Sequence, residues 1–499
     1  MTVRTLKINF AINVLGAIVP LIVALVTVPI YIRHIGDARY GVLSIVWVLL
    51  GYFGFLDLGL SRAAANALAR LRDAPQESRA RVLVTTLVLN LVLGVSGSLC
   101  LFFFGGYLLQ HVVSVPEFLK SEVASAFPWV VGLFPLALVS GVGVGALESR
   151  ERFLLANVLQ VAGSSIGQIA PVILALAISP SLALVIPAAA ISRGLTVFAV
   201  LLAVYQKEAP LSVSNFDKTE AKRLLGYGGW ITVSGLIGPI LVSIDQFVIG
   251  SVLGVAAVAH YAVPMNLVTR SQVFPSALVR TLFPRMSHSG PVEAQHLASR
   301  AFTSMVFGYA AICAPAIVIA PTFFRFWIGA DFANIAAPVA EILFFGAWAN
   351  AVAWVPYHLL QSQSRPDVAA KCHIMELLPF IAILWGLTSS FGIVGAAAAW
   401  TFRCAADAAC LFWIAHMRGD ALVRAIVPLG LLVGSAFIAS SIGTGLLEAI
   451  GAAMVVGAIA MILSLVMVDD LRNAAVTLSS HVARLLSPRP KSEPYTPDA

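Results

Sequence analysis

The chain has 499 residues, of which 59% are hydrophobic and 11% charged, with a formal net charge of +7 and a mean hydropathy of +0.92. A water-soluble surface needs roughly 25% charged residues, so this composition excludes a soluble globular protein and puts most of the surface in lipid.

A helix rising 1.5 Å per residue crosses the hydrocarbon in about 20 apolar residues. Runs of that length fall at 8–32, 41–65, 82–108, 125–147, 154–178 and 182–204. Six more follow at 226–250, 256–282, 301–325, 335–361, 373–389 and 392–414, and a last pair at 425–441 and 446–468. They are continuous, not alternating, and exceed the ~10 residues of a barrel strand. The expected fold class is an all-α polytopic membrane protein of about fourteen transmembrane helices. Arg4 and Lys7 precede the first run as in a signal peptide, but the run is too long and no small-residue cleavage site closes it. It reads as a retained helix.

Basic residues concentrate on the cytoplasmic ends of membrane helices. With the N-terminus placed inside, 22 of the 31 Lys and Arg fall in cytoplasmic segments and 4 in outer loops. A missed helix would scramble that alternation, and the bias persists to the C-terminus. Both termini are therefore expected in the cytoplasm, and the net positive charge reflects sidedness, not nucleic-acid binding. The longest outer loop, near 109–124, is too short for a folded catalytic domain.

The halves carry a weak internal repeat. Gly16-Ala-Ile-Val-Pro20, then Gly36 and Tyr40, is echoed by Gly235-Leu-Ile-Gly-Pro239, then Gly254 and Tyr261; Arg62 falls roughly opposite Arg280. Six spans per half is an even number, which implies parallel repeats facing each other across a cleft. The expected domains are a bundle over 1–205, a cytoplasmic linker over 206–225, a second bundle over 226–414, two further helices over 425–468 and a tail over 469–499 with a disordered end.

Within this frame Pro29-Ile-Tyr-Ile-Arg-His-Ile-Gly36, Tyr40-Gly41, Leu56-Asp57-Leu-Gly-Leu60, Ile244-Asp245-Gln-Phe-Val-Ile-Gly250 and Tyr261 stand out. The chain resembles, over about residues 1–425, the polysaccharide and O-antigen flippases of the multidrug/oligosaccharidyl-lipid/polysaccharide exporter superfamily. The resemblance implies two six-helix bundles plus two helices in a bacterial inner membrane. It also implies transport of undecaprenyl-pyrophosphate-linked oligosaccharide to the periplasmic leaflet by alternating access, beside a polysaccharide polymerase and chain-length machinery. The rivals are an ion-coupled drug or metabolite exporter, a peptidoglycan-precursor flippase and, from another class, a membrane-embedded glycan-assembly enzyme.

Ionisable groups at bilayer depth are costly and mark pathways. Arg193, Arg270 and Arg403 lie near mid-span, Arg62 and Arg280 toward span ends. A guanidinium fork matches phosphate oxygens, so these five are the candidate headgroup site. Arg62 and Arg280 can instead snorkel to the interface, and Arg403 has Asp407 four residues on as a local partner. The intramembrane acids Asp57, Asp245, Glu341, Glu376 and Asp407 can carry a coupling proton or neutralise arginines, and both readings stand. Gln160, Gln168 and Asn350 suit sugars or helix packing. Cys100, Cys313, Cys372, Cys404 and Cys410 have no zinc spacing and read as packing residues; no metal, cofactor or catalytic group is expected, and no ATP-binding loop occurs.

Overall fold

The computed structural model describes residues 3–473 except 54–56, 58, 72–73, 112–113, 151, 208–211, 364, 418–422 and 444. For some helical residues, including Arg62 and most of 226–243, only the backbone is described. The described residues are helical and contain no strand. In order they form α1 (Val3–Ile35), α2 (Asp37–Phe53), α3 (Leu60–Arg70), α4 (Gln76–His111), α5 (Glu117–Ser149), α6 (Phe153–Ala177), α7 (Leu182–Lys207) and α8 (Lys218–Val252). Then come α9 (Val255–Ser271), α10 (Val273–His288), α11 (Pro291–Trp327), α12 (Ala330–Ser362), α13 (Pro366–Ile414), α14 (Ile426–Ser441) and α15 (Leu446–Met467).

Among the described residues nine helices are long and apolar enough to cross a membrane. Their surfaces agree: Phe103, Leu378 and Leu447 are 72%, 76% and 84% exposed, which is tolerable in lipid and costly in water. The all-α multi-pass architecture is the expected one. With α2–α3 and α9–α10 as broken crossings and α13 as two, about fourteen crossings result.

The expected continuous spans 41–65 and 256–282 are broken. The α2–α3 break is organised by Asp57, which is buried and whose carboxylate accepts the Gly59 N–H at 2.8 Å and the Ser61 N–H at 3.0 Å. Gly59 supplies φ +70° for the turn. A helix start exposes unpaired N–H groups, and at bilayer depth they need an internal acceptor; Asp57 provides it. The second break falls at Gln272, between α9 and α10.

The run 373–414 is a hairpin. Gly392, at φ +62° and ψ −147°, interrupts α13, and the sulfurs of Cys372 and Cys410 lie 3.6 Å apart across 38 residues. The α1–α2 and α8–α9 connections share one device: Gly36 has φ +83° and Gly254 φ +86°. This is the clearest structural form of the repeat, and Tyr40 and Tyr261, which follow these glycines, are both buried.

By packing the chain divides into two compact units, one of residues 1–267, 324–339 and 373–400, the other of 268–323, 340–372 and 401–499. In the first, α5 and α7 pack on each other, α6 on α7, α4 and α3 on α5, and α1 on α6. Its core joins Ala64 and Leu68 of α3, Leu83 of α4, Val142 and Ala146 of α5, Ala156 of α6 and Val204 of α7. Small residues permit the close crossings: a Cβ on Gly163 would stand 2.2 Å from Thr196 Cγ2, so α6 and α7 meet there nearly backbone to side chain. In the second unit, Trp348 Nε1 donates to Val306 O at 2.9 Å, Thr401 Oγ1 to Ile342 O at 2.8 Å and Ser464 Oγ to Phe307 O at 3.1 Å.

Candidate functional site

The first unit contains an open cavity of about 650 Å³. Each wall follows from local sequence. α5 presents Ser140, Gly141, Val144, Gly145 and Glu148 along one side, a three-to-four residue spacing that keeps them on one helical face. Gly141 and Gly145 bring α3 close, since a Cβ on the first would lie 2.9 Å from Ser61 Oγ and on the second 3.2 Å from Ala65 Cβ. α1 contributes Gly16 and Pro20, α6 contributes Asn157, Gln160 and Ser164, and α7 contributes Arg193, Thr196 and Val200.

Several of these polar groups are tied to their own helices. Asn157 Nδ2 donates to Phe153 O at 2.9 Å, Ser164 Oγ to Val161 O at 3.0 Å and Thr196 Oγ1 to Ser192 O at 2.8 Å. The Ser164 and Thr196 hydroxyl oxygens can also accept from a ligand hydroxyl. Two groups are different. Ser61 Oγ is buried and has no hydrogen-bond partner among the described residues. Arg193, half-buried, has no hydrogen bond or ion pair among them either. A buried donor left unsatisfied costs ~1–3 kcal/mol, so the Ser61 hydroxyl is set to bond a ligand, and Arg193 stands on the same cavity wall. The arrangement can bind an anion through the guanidinium and hydroxyls or amides around it.

Of the four candidate arginines whose side chains are described, only Arg193 lines this cavity. The side chain of Arg62 falls outside the described residues, although its helix α3 forms one wall. Arg270 and Arg280 are exposed and belong, with Arg403, to the second unit. Arg403 and Asp407 are both buried on consecutive turns of α13, the i, i+4 relation that the sequence presents. Tyr357 of α12 lies within electrostatic reach of Asp407 and hydrogen-bonds Gln361. Among the acids, Asp57 caps α3 as described. Asp245 is fully buried, accepting Tyr261 Oη–H at 2.5 Å and the Gln246 N–H at 2.8 Å. Glu341 on α12 and Glu376 on α13 are partly buried.

Sequence reasoning missed Glu148, which lines the cavity but sits beside Arg150 at the end of an apolar run and reads there as a loop charge. Ser61 was hidden likewise, its role depending on the break before α3. At the opposite end of α5, Glu122 takes Arg39 bidentately, at 2.9 Å from Nε and 2.6 Å from Nη2, and accepts the Leu182 N–H at 2.8 Å. That triple contact ties α2, α5 and α7 together.

A family model for "polysaccharide biosynthesis protein" matches residues 6–289. The chain belongs to that family. A relative from Shigella flexneri described as "Putative O-antigen transporter" is 27% identical over 410 residues, covering 81% of this chain and 96% of that protein. Among solved structures, the lipid II flippase MurJ in an inward closed conformation aligns with a TM-score of 0.69 at 11% identity, covering 93% of this chain and 99% of that one. An inward-facing multidrug resistance MATE transporter of the MOP superfamily aligns at 0.67 and 17% identity, over 82% and 99%. The polysaccharide biosynthesis family and these structural neighbours are transporters and flippases, not enzymes.

Proposed function

We propose that the chain is an inner-membrane flippase that moves undecaprenyl-pyrophosphate-linked oligosaccharide from the cytoplasmic to the periplasmic leaflet, with both termini in the cytoplasm. The observation that carries the reading is the cavity of the first unit, which Arg193 lines at mid-span and where the Ser61 hydroxyl has no hydrogen-bond partner among the described residues. Family membership supplies the polysaccharide context, and the relative's description points to O-antigen.

The cavity, at about 650 Å³, is in the range of sites for drug-sized ligands. It takes the headgroup end of such a carrier, the pyrophosphate with its nearest sugar, while the polyprenyl tail stays in lipid. Arg193 offsets the desolvation of the phosphate oxygens by charge-assisted hydrogen bonds. Ser61, Asn157, Gln160 and Thr196 face the sugar hydroxyls. Translocation then follows from alternating access of two repeats of like orientation.

Replacing Arg193 by Ala is expected to abolish surface glycan while leaving protein abundance unchanged, with Arg193→Lys retaining part of the export. Normal glycan in Arg193→Ala would overturn the assignment. The likeness to a multidrug transporter supports a second reading as a small-molecule exporter. Unaltered surface glycan with raised drug sensitivity in a deletion strain would favour that reading.

A further inference from the structure

The second unit holds a pocket of about 310 Å³ that the transport reading leaves unused. It forms where four helix ends converge: the start of α11 with Gln295, His296 and Ser299, the end of α12 with Gln363, the approach to α13 with Arg365, and the exit of α13 with His416. Among its described lining residues three are cationic or can become so, and none is a carboxylate. Gln295 builds it. Its Nε2 donates to Ala415 O at 3.1 Å and to His416 O at 2.9 Å, fastening the last turn of α13 to α11. His416 is thereby presented at φ +50°.

Two nearby acids are engaged elsewhere, while Glu293, in the first turn of α11, is exposed and is not among the described lining residues. Asp367 accepts Lys371 Nζ at 3.0 Å, and Asp470 is paired with Arg300. Arg365, His296 and His416 are exposed. The pocket thus offers a planar guanidinium, two imidazoles, the Ser299 hydroxyl and the Gln363 amide to an anion, which is the donor set that a phosphate recruits.

Its position selects the source of the phosphate. Helices that begin or end here are membrane spans, so the pocket lies at headgroup level. Val292, in its wall, is 73% exposed, and Trp413, two residues before Ala415, is 77% exposed. Apolar side chains and a tryptophan beside a cationic pocket match an acyl chain below a headgroup. A free phosphate has no use for them.

We propose that this pocket binds the phosphate headgroup of an anionic glycerophospholipid, with Arg365 as the principal contact and His296 and His416 flanking it. The inference does not rest on the identity of the cargo.

The test uses the full-length protein, purified in a zwitterionic detergent, and its thermal unfolding midpoint. Phosphatidylglycerol is titrated in mixed micelles against phosphatidylcholine, with inorganic phosphate as a separate arm. Phosphatidylglycerol is expected to raise the midpoint and the other two to leave it in place. Arg365→Gln combined with His296→Gln should weaken the apparent lipid affinity about tenfold, the loss of one or two charge-assisted contacts. His416→Asn, which tolerates the positive φ, provides a second variant if the first does not elute as a folded species. An unchanged phosphatidylglycerol response in folded variants, or an equal response to phosphatidylcholine, overturns the site. A shift with inorganic phosphate alone overturns the lipid assignment. A variant that loses the lipid response and still exports glycan separates this site from the transport cavity.

Discussion

Tyr261→Phe isolates one contact of the buried carboxylate Asp245. The phenol donates to Oδ2 at 2.5 Å while the Gln246 N–H serves Oδ1 at 2.8 Å, and neither Asp245 nor Tyr261 reaches solvent. Phenylalanine fills nearly the same volume, so no cavity opens and the loss is that of one buried hydrogen bond, about 1–3 kcal/mol. Asp245→Asn leaves one acceptor oxygen for two donors, so the phenol or the Gln246 N–H loses its partner and a cost of similar size is expected. A double-mutant cycle of the two should return a coupling of about 1–2 kcal/mol. The assay is the unfolding midpoint of detergent-purified wild type, both single variants and the double, with glycan export followed across pH in cells. A structural carboxylate lowers the midpoint in Tyr261→Phe and leaves the pH profile of export where it was. An unchanged midpoint refutes the packing argument. A displaced pH profile would instead mean that Asp245 titrates during transport.

Asp217 caps α8, accepting the Thr219 N–H at 2.7 Å and the Glu220 N–H at 3.1 Å, and the Glu220 N–H, then that of Thr219, hold its pKa below the usual carboxylate value. A lowered folded-state pKa stabilises above the unfolded value and fades as pH falls through the folded one, so the midpoint gap between wild type and Asp217→Ala should shrink on acidification; a gap independent of pH would count against the cap. In α13, copper phenanthroline should oxidise the Cys372 and Cys410 thiols to a disulfide, because sulfurs 3.6 Å apart need only a small approach. Mass spectrometry of the digest should recover the linked peptides, and recovery of both peptides unlinked would reject the hairpin.

Hydropathy was sufficient for the crossings, since a span of about 20 apolar residues leaves few alternatives. It could not see the breaks. Asp57-Leu58-Gly59 costs a hydropathy window almost nothing, yet that one carboxylate and one left-handed glycine end a helix and start another. The site was legible in part for a related reason: Arg193, mid-span with no acid within a turn, had to face something other than lipid, and it faces the cavity. Arg270, which reads the same way, is exposed in the second unit, a distinction that spacing along the chain does not carry. Glu148 and Ser61 were invisible because their place on the wall is set by how α3 docks on α5. Likewise Cys372 and Cys410, 38 residues apart, become neighbours only through the turn at Gly392.

The glycines that open α2 and α9 carry a genetic consequence. Around Gly36 there is space for a Cβ, and around Gly254 the nearest atom to one would be Ser114 O at 3.4 Å. Volume therefore does not forbid alanine at either site; the left-handed backbone does, at about 1–2 kcal/mol. The two positions should tolerate substitution poorly for a reason that ignores side-chain size, with asparagine the least harmful replacement. A saturation scan would then show two narrow troughs at 36 and 254, at corresponding places in the two halves even where the flanking residues do not agree.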